Sequence, residues 1–465
     1  MPRTRNNALA EVIREAGWSQ EQTAAHFRRA AAEAGHAELL RVARTHISQW
    51  VLGSRPDIKT ASILCETLSR RLGRAVTPAQ IGLGHMPDPD QLGGPGWDVA
   101  TMIALADLAH HGGQGMDMTR RQVLADSAYS AAGAAVPPET WWGKTLEEAR
   151  SRPALSRLTV TPAHVEALRD AMEYFSRQDQ RLGGRAGRGA LTSYLTNDVA
   201  AFVSARISTE KLRTELMSAA AELVYLAGWM SFDSGDHAIA QRHFGIALRL
   251  AAEADNGPLA GHILRAAAHQ AVDLHHPARA LELAEGSLGQ RRYAQAAPRE
   301  RALLGVVHAR ALALAGRRKD ARVALQQAEG DLTQADGADA PARVTFFGEA
   351  ALAHETAAAL RDMGDLPAAE AQFRHSVRTR ALPYSRTHAV TLGYLGAVQA
   401  QQGHVDAACA TWNRALDVVS AGVQSGRVYD TVVQMRRTLS PVLARGGRTA
   451  AEVDSRAREV LRTVG

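Results

Sequence analysis

The sequence is poor in aromatic residues, in lysine and in cysteine. Phe, Trp and Tyr together make up 5% of the 465 residues, so the cores must be built mainly from Ala, Leu and Val. Alanine is the best helix former, whereas the strand signature of β-branched plus aromatic residues is scarce. No alternating pattern typical of hairpins stands out. These absences predict an all-α fold.

Cysteines and long apolar runs are also lacking. Cys65 and Cys409 lie far apart in sequence and match no metal-ligand spacing and no disulfide framework. We interpret both as small buried hydrophobic residues in a reducing compartment. No apolar stretch approaches the roughly 20 residues that a membrane-spanning helix needs, and the N-terminus has no apolar signal core. We therefore expect a cytoplasmic protein with no membrane partner.

Enzyme motifs are absent as well. The string His354-Glu355 begins like a zinc-protease helix, but Ala358 stands where the second histidine is required. The glycine-rich stretch 183–189 lacks the preceding strand and the Lys-Ser/Thr ending of a phosphate-binding loop, so we interpret it as an interhelical turn. Two His-His pairs have no neighbouring acid or cysteine pattern. We expect no enzyme activity, no catalytic residue, no metal and no cofactor.

Positive charge is concentrated at the start of the chain. Residues 1–80 hold 12 Lys+Arg against 7 Asp+Glu, a charge of +5 out of the +6 of the whole sequence. A basic module joined to a nearly neutral body predicts a polyanion partner for the first part and a different partner for the second. Chance is the alternative. Lysine occurs only four times, and this arginine bias is better explained by a GC-rich genome than by selection for binding.

Residues 1–84 have the pattern of a small helical bundle. A first helix ends at Gly17, and Ser19 with Gln22 forms a capping box that starts the next helix. Later in this segment, one face of a helix carries the apolar residues Val42, Ile47 and Trp50. The opposite face carries Arg44, Thr45, Ser48 and Gln49. Gly53 stops this helix and Pro56 prevents its continuation.

The segment 44–56 resembles the recognition helix and exit turn of the Cro/phage-repressor helix-turn-helix family, also called the xenobiotic-response-element (XRE) family. The resemblance implies that the polar face enters the major groove of DNA and that bases are contacted by Arg44, Thr45, Ser48 and Gln49. It also implies phosphate contacts from Gln20, Arg55 and Lys59. Residues 28–43 form a longer link than is usual in the family, which leaves open which side chain reaches a base. A merely solvated helix face is the alternative.

From residue 161 onward, helical segments repeat. The clearest unit carries small and aromatic residues at the spacing of the tetratricopeptide (TPR) consensus, namely Gly228, Gly235, Ala240, Phe244 and Ala247. Turn positions recur at 235, 275, 316, 364, 403 and 446, with gaps of 39 to 48 residues that exceed the 34 of the standard repeat. Longer helices are implied. The resemblance predicts a right-handed TPR-like α-solenoid over residues 161–465.

Such an array forms a concave surface, lined by the first helix of each unit, that holds a peptide, a small molecule or a partner protein. Carrying the consensus forward places seven residues there: Tyr225, Trp229, Arg265, His269, Arg310, His354 and Arg361. These aromatic and basic side chains suit an acidic or aromatic ligand, although an ordinary surface or inter-repeat role is the alternative for each. The intervening residues 85–160 are predicted to be a linker and an irregular helical region.

Together the two regions resemble bacterial regulators that join a repressor-like helix-turn-helix to TPR-like repeats. One such group responds to peptide pheromones, and another controls development and antibiotic production in actinobacteria, which the Arg- and Ala-rich composition favours. The resemblance implies a sequence-specific transcription regulator that binds an operator as a homodimer and a signal in its repeats. The sequence leaves the operator, the ligand and the choice between activator and repressor open. A TPR scaffold for protein interactions, with a vestigial helix-turn-helix, is the alternative.

Overall fold

The structure is a computed structural model that describes residues 5–33, 36–72, 76, 81–83, 129, 136–335, 340–381, 383–443 and 447–464. Within these residues the fold is all-α, as predicted, with helices packed in neighbouring pairs in a solenoid-like arrangement. The only extended pairing in the described part is an isolated bridge between Thr159 and Arg206. The low aromatic content is compensated by many buried alanines in the helix contacts.

The N-terminal bundle contains four helices and a 3-10 turn: α1 Asn7–Glu15, α2 Gln20–Glu33, the turn Ala37–Arg41, α3 Arg44–Val51 and α4 Ile58–Leu72. It has a hydrophobic core of its own. Both hydrogen bonds of the predicted capping box are present, because the Ser19 amide donates to Gln22 Oε1 (2.9 Å) and the Gln22 amide donates to Ser19 Oγ (3.2 Å). Gly17 and Gly53 follow α1 and α3 with φ of 68° and 100°.

Between the bundle and the repeats, the structure contains α5 Glu139–Ser151, α6 Pro162–Leu182, α7 Arg188–Tyr194, a π-helical turn Leu195–Val199 and α8 Ala200–Val203. Helix α5 falls in the region predicted as a linker, yet its Trp141 belongs to the core of the repeats. Trp142 Nε1 also donates a hydrogen bond to Asp255 (2.9 Å). Much of the predicted linker, residues 85–128 and 130–135, and the predicted turn at 446 lie outside the described residues.

The remaining helices form successive antiparallel-type pairs joined by short turns. They are α9 Glu210–Asp233 with α10 His237–Glu253, α11 Gly257–Asp273 with α12 Pro277–Ser287, then the short α13 Gln290–Ala294, α14 Pro298–Leu314 with α15 Arg318–Thr333, α16 Glu349–Asp362 with α17 Leu366–Thr379, α18 Ser385–Gln401 with α19 Val405–Ser420, and α20 Gly426–Leu443 with α21 Arg448–Val464. A 3-10 turn, Ala342–Val344, precedes α16.

The predicted turn positions lie inside these pairs. The backbone is left-handed at each of the five that the structure describes, with φ of 89° at Gly235, 59° at His275, 77° at Gly316, 82° at Gly364 and 86° at Gly403. Glycine adopts this conformation without the Cβ clash that other residues meet, which explains its use at four of the five turns. The repeat spacing inferred from the sequence is therefore confirmed at these positions.

The closure of the stack was not predicted. Helix α6 lies against both α9 and α18, which belong to distant pairs. The Gln424 amide, just before α20, donates to the carbonyl of Leu182 at the end of α6 (2.5 Å). Gly426 lies so close to the end of α9 that a Cβ there would be 2.7 Å from the carbonyl carbon of Ser234. The last pair thus meets the first, and the helices enclose the space that the sequence suggested would be an open groove.

Candidate functional sites: the polar face of α3 and the repeat cavity

Helix α3 presents a polar face to solvent. Its other face is buried through Ile47, Trp50 and Val51. Of the predicted base-contacting residues, three are exposed and Ser48 is half-buried; the exposed ones are Arg44, Thr45 and Gln49. None of these four side chains has an intramolecular hydrogen bond or ion pair with a described residue. Their polar groups are therefore available to an external partner.

The long link before α3 is held against the bundle. It contains the 3-10 turn rather than a simple extension of α2. Arg28 on α2 donates to the carbonyl of Val42 (2.8 Å), at the end of the link. The rings of Phe27 and Trp50 pack with their centroids 5.7 Å apart, which fixes α3 on α2. These contacts give α3 a defined orientation despite the unusual length of the connection.

Two of the three predicted phosphate-contacting residues lie in the first turn of a helix, and the third lies in the segment between α3 and α4. Gln20 is the first residue of α2 and is half-buried, whereas Arg55 is exposed in the segment after α3. Lys59, in the first turn of α4, donates to Glu38 Oε1 (2.7 Å). An ion pair that is partly exposed contributes little to stability, so Lys59 can exchange Glu38 for another anion at low cost.

A cavity of about 90 Å³ lies inside the closed stack. The structure brings five of the seven predicted groove residues to its wall: Tyr225, Trp229, Arg265, His269 and His354. The other two lie elsewhere. Arg310 is buried behind the wall in ion pairs with Asp273 and Glu355, each at 2.9 Å. Arg361 pairs with Asp362 (2.8 Å), and its guanidinium lies 5.0 Å from the ring centroid of Tyr394.

Sequence reasoning missed four arginines of the wall, Arg343, Arg380, Arg386 and Arg427. Arg343 lies in the 3-10 turn before α16 and Arg380 follows α17, so neither belongs to the first helix of a unit. Arg386 and Arg427 lie in the first turns of α18 and α20, away from the central positions that the consensus marks. Helix α6, which contributes Asp179, has no repeat signature. The repeat pattern alone could not identify these residues.

Buried ion pairs connect the helices around the cavity. Arg386 donates to Asp233 (3.0 Å) and to Asp179 (3.1 Å), which joins α18 to α9 and α6. Arg427 on α20 pairs with Asp273 (3.0 Å) at the end of α11. Burial raises the pKa of Asp179 to about 6, although Arg386 acts in the opposite direction. These pairs fix the closed arrangement because each joins helices far apart in sequence.

The histidines at the cavity are uncharged at neutral pH. Burial lowers the pKa of His269 to about 4 and that of His354 to about 3. His354 Nδ1 is 2.8 Å from Thr391 Oγ1, which fixes the ring. At pH 7 these rings supply polar and aromatic surface without adding charge, so the positive charge on the wall comes from arginine.

Other kinds of site are scarce among the described residues. No group of three or more His, Cys, Asp or Glu side chains there is placed to hold a metal ion. Cys65 and Cys409 are both buried and free, and burial raises the pKa of the Cys65 thiol to about 12. None of the described helices is long and apolar enough to cross a membrane.

Comparison with known proteins gives one finding. The family model described as the SP15 N-terminal domain matches residues 9–84. The match covers the N-terminal bundle and ends at the residue where the sequence predicts the end of the first domain. No curated protein and no solved structure matches the chain.

Proposed function

We propose that the protein is a cytoplasmic, sequence-specific DNA-binding transcription regulator. The observation that carries this proposal is the polar face of α3. Its four predicted base-contacting side chains have no hydrogen-bond or ion-pair partner among the described residues, while its apolar face is fixed in a compact core. A rigid helix with an unpaired polar face is what major-groove recognition requires. The charge of +5 in residues 1–80 supports a polyanionic partner.

In the proposed mechanism, Arg44 pairs with guanine and Gln49 with adenine, each contributing about 1–3 kcal/mol of discrimination. Gln20, Arg55 and Lys59 contact phosphates and set the docking angle. Two copies of the bundle, carried by a homodimer, bind half-sites about 34–36 Å apart. A ligand held by the repeats favours one arrangement of the two bundles and thereby changes operator affinity.

The small volume of the cavity favours this reading over a protein-interaction scaffold. A scaffold needs an open concave surface, whereas here α6 and the meeting of the first and last pairs close that surface. The predicted groove residues on the wall are nearly all buried; Arg265 is 2% exposed and His269 is 3% exposed. An interior of this kind suits a small ligand better than a protein partner.

Selection of bound DNA from a random library tests the proposal. The full-length protein, at about 0.15 M salt, should enrich a palindromic motif, and the Arg44→Ala/Gln49→Ala variant should not. Arg14→Ala is the matched control because Arg14 is exposed on α1 and lies outside the recognition face. Weak, salt-sensitive binding without sequence preference by the unmodified protein would argue for the scaffold instead.

A further inference from the structure

Two arginines of the cavity wall differ from the rest in having no carboxylate partner. Arg343 pairs with Glu300 and Glu222, Arg386 with Asp179 and Asp233, and Arg427 with Asp273. Arg265 and Arg380, which also line the cavity, form no ion pair with any described residue. The wall therefore carries two guanidinium groups that form no direct ion pair with a described residue, although Glu355 on the same wall acts to raise the pKa of Arg380.

The hydrogen bonding of these two arginines is incomplete. Arg265 Nη2 donates to Tyr225 OH (2.7 Å) and lies 3.3 Å from His262 Nε2, and the guanidinium lies 5.5 Å from the ring centroid of Trp229. Arg380 donates to the carbonyl of Ala350 (2.9 Å) and to Ser376 Oγ (2.8 Å). The Nε–H of each is buried and has no acceptor. Burying an uncompensated charge is costly, and a bound anion would offset that cost.

The rest of the wall is compatible with an anion. The side chains of Ser176, Gln180 and Tyr384 line the cavity and have no intramolecular hydrogen-bond partner among the described residues. All three can donate a hydrogen bond. Two acids line the cavity: Asp179 Oδ2 accepts from Arg386 and Glu355 Oε2 accepts from Arg310, whereas the buried Asp179 Oδ1 has no partner among the described residues. Five arginines against two acids still leave the wall with an excess of positive charge.

The volume limits the size of the ligand. The cavity encloses about 90 Å³. A dry protein cavity of about 150 Å³ holds benzene, and one water takes about 30 Å³ in the liquid. The space therefore admits a group of a few heavy atoms, such as a phosphate or a carboxylate, but no folded or extended peptide segment.

We propose that the repeat cavity binds a small oxyanion, a phosphate or carboxylate group, through Arg265 and Arg380. Guanidinium groups match both oxyanions geometrically and form short, charge-assisted hydrogen bonds with them. This assignment deepens the proposed function, because it names the ligand class of the repeats. Only the effect of the bound anion on DNA binding rests on the proposed function; the anion site itself does not.

Isothermal titration calorimetry of the full-length protein tests the site. Inorganic phosphate and acetate are titrated separately at pH 7.5, with chloride keeping the ionic strength constant. We expect one saturable site per chain for at least one of the two ions, and the tighter ion identifies the oxyanion. Arg265→Met and Arg380→Met should each weaken binding at least tenfold. Arg361→Met should leave it unchanged, because Arg361 lies off the wall.

Absence of saturable heat with both ions in the unmodified protein would overturn the assignment, as would equal binding by the Met variants. Circular dichroism verifies that each variant is folded, and Arg380→Lys, which keeps the charge but loses the planar fork of donors, should weaken binding less than Arg380→Met. DNA binding is measured separately on the same samples. If the unmodified protein binds an anion but shows no sequence-specific DNA binding, the proposed regulator function is wrong and the anion site stands. If it binds DNA specifically but binds no anion, only the assignment of the cavity is wrong.

Discussion

Individual buried charges hold the interior of this protein together. Arg386 is 4% exposed and lies between two carboxylates that come from different parts of the chain, Asp179 on α6 and Asp233 on α9. Gly184 also donates its amide to Asp233 (2.9 Å), so one carboxylate stabilises both the glycine-rich turn and the end of α9. Removal of the arginine would leave both acids buried without their direct ion-pair partner.

We therefore predict that Arg386→Met destabilises the protein by about 3–5 kcal/mol, the usual cost of removing one partner of a buried ion pair. Urea unfolding followed by circular dichroism measures the change. Arg374→Met is the control, because Arg374 pairs with Glu370 at the surface and its loss should cost no more than about 1 kcal/mol. Equal effects of the two substitutions would mean that the buried pairs do not hold the stack closed.

The buried histidines determine how the stability of the folded protein changes when the pH is lowered. Burial lowers the pKa of His243 to about 4, that of His269 to about 4 and that of His354 to about 3. In the unfolded chain their pKa is about 6.5, so below this pH the unfolded state binds more protons than the folded state. Stability contributed by the neutral rings is present above pH 6.5 and is lost progressively as the pH falls towards 4.

The thermal midpoint should accordingly fall as the pH is lowered from 7.5 to 5. Asp179 acts in the opposite direction, since its raised pKa of about 6 makes the folded state bind a proton before the unfolded state does. Burial also raises the pKa of Glu300 and Asp430, but it lowers the pKa of three further histidines, so the histidines outweigh the carboxyls; the three are His237, His262 and His276. Differential scanning calorimetry over that pH range checks the sign, and a midpoint that rose on acidification would contradict the burial of these rings.

At the scale of the helix pair, a glycine on the first helix admits an aromatic ring from the second. A Cβ at Gly396 would lie 2.4 Å from Trp412 Nε1, and a Cβ at Gly228 would lie 2.8 Å from Phe244 Cδ1. Trp412 and Phe244 are both buried, at 1% and 3% exposure. The unit therefore depends on the absence of a side chain at these two positions.

Gly396→Ala should destabilise the protein by about 1–3 kcal/mol, because the added methyl group overpacks the contact with Trp412. Gly245→Ala is a matched control within α10, where nothing lies within 4 Å of the added Cβ. That substitution should stabilise by about 0.5–1 kcal/mol, since alanine loses less conformational entropy in a helix. Urea midpoints of the two variants should thus move in opposite directions, and a shift in the same direction would refute this account of the pair.

The elements themselves were largely predictable from local sequence. Capping by Ser19, the helix stops at Gly17 and Gly53, and the turns at Gly235 and Gly316 follow from chemistry within a few residues. Local rules suffice here because a helix start needs one capping side chain and a left-handed turn needs only a glycine, which has no side chain. The 3-10 turn within the link before α3 was not foreseen, because it depends on the tertiary bond from Arg28 to Val42.

At the scale of the molecule, sequence reasoning gave the stack but not its closure. Closure depends on pairs such as Arg386 with Asp233 and Arg427 with Asp273, which join residues more than 150 positions apart. No periodicity marks such partners. The repeat consensus marks positions on the first helix of each unit, and five of the seven residues predicted from it line the cavity wall. Arg343 and Arg380 were missed because they lie outside those helices.

The bundle and the stack also touch. Arg70 near the end of α4 donates to the carbonyl of Tyr129 (3.3 Å), and the ring of Tyr129 stacks on His276 with centroids 5.2 Å apart. His276 lies in the turn between α11 and α12, and α11 also carries Arg265. Tyr129, which belongs to the core of the repeats, therefore connects the bundle to the stack.

Fluorescence anisotropy on the selected DNA site tests the central claim most directly. Affinity is measured at one fixed salt concentration for the unmodified protein, for Arg44→Ala/Gln49→Ala and for the control Arg14→Ala, on the selected site and on a scrambled duplex. We predict that the double substitution abolishes the preference for the selected site and that the control keeps it. Retention of the full preference by the double variant would contradict DNA reading by α3.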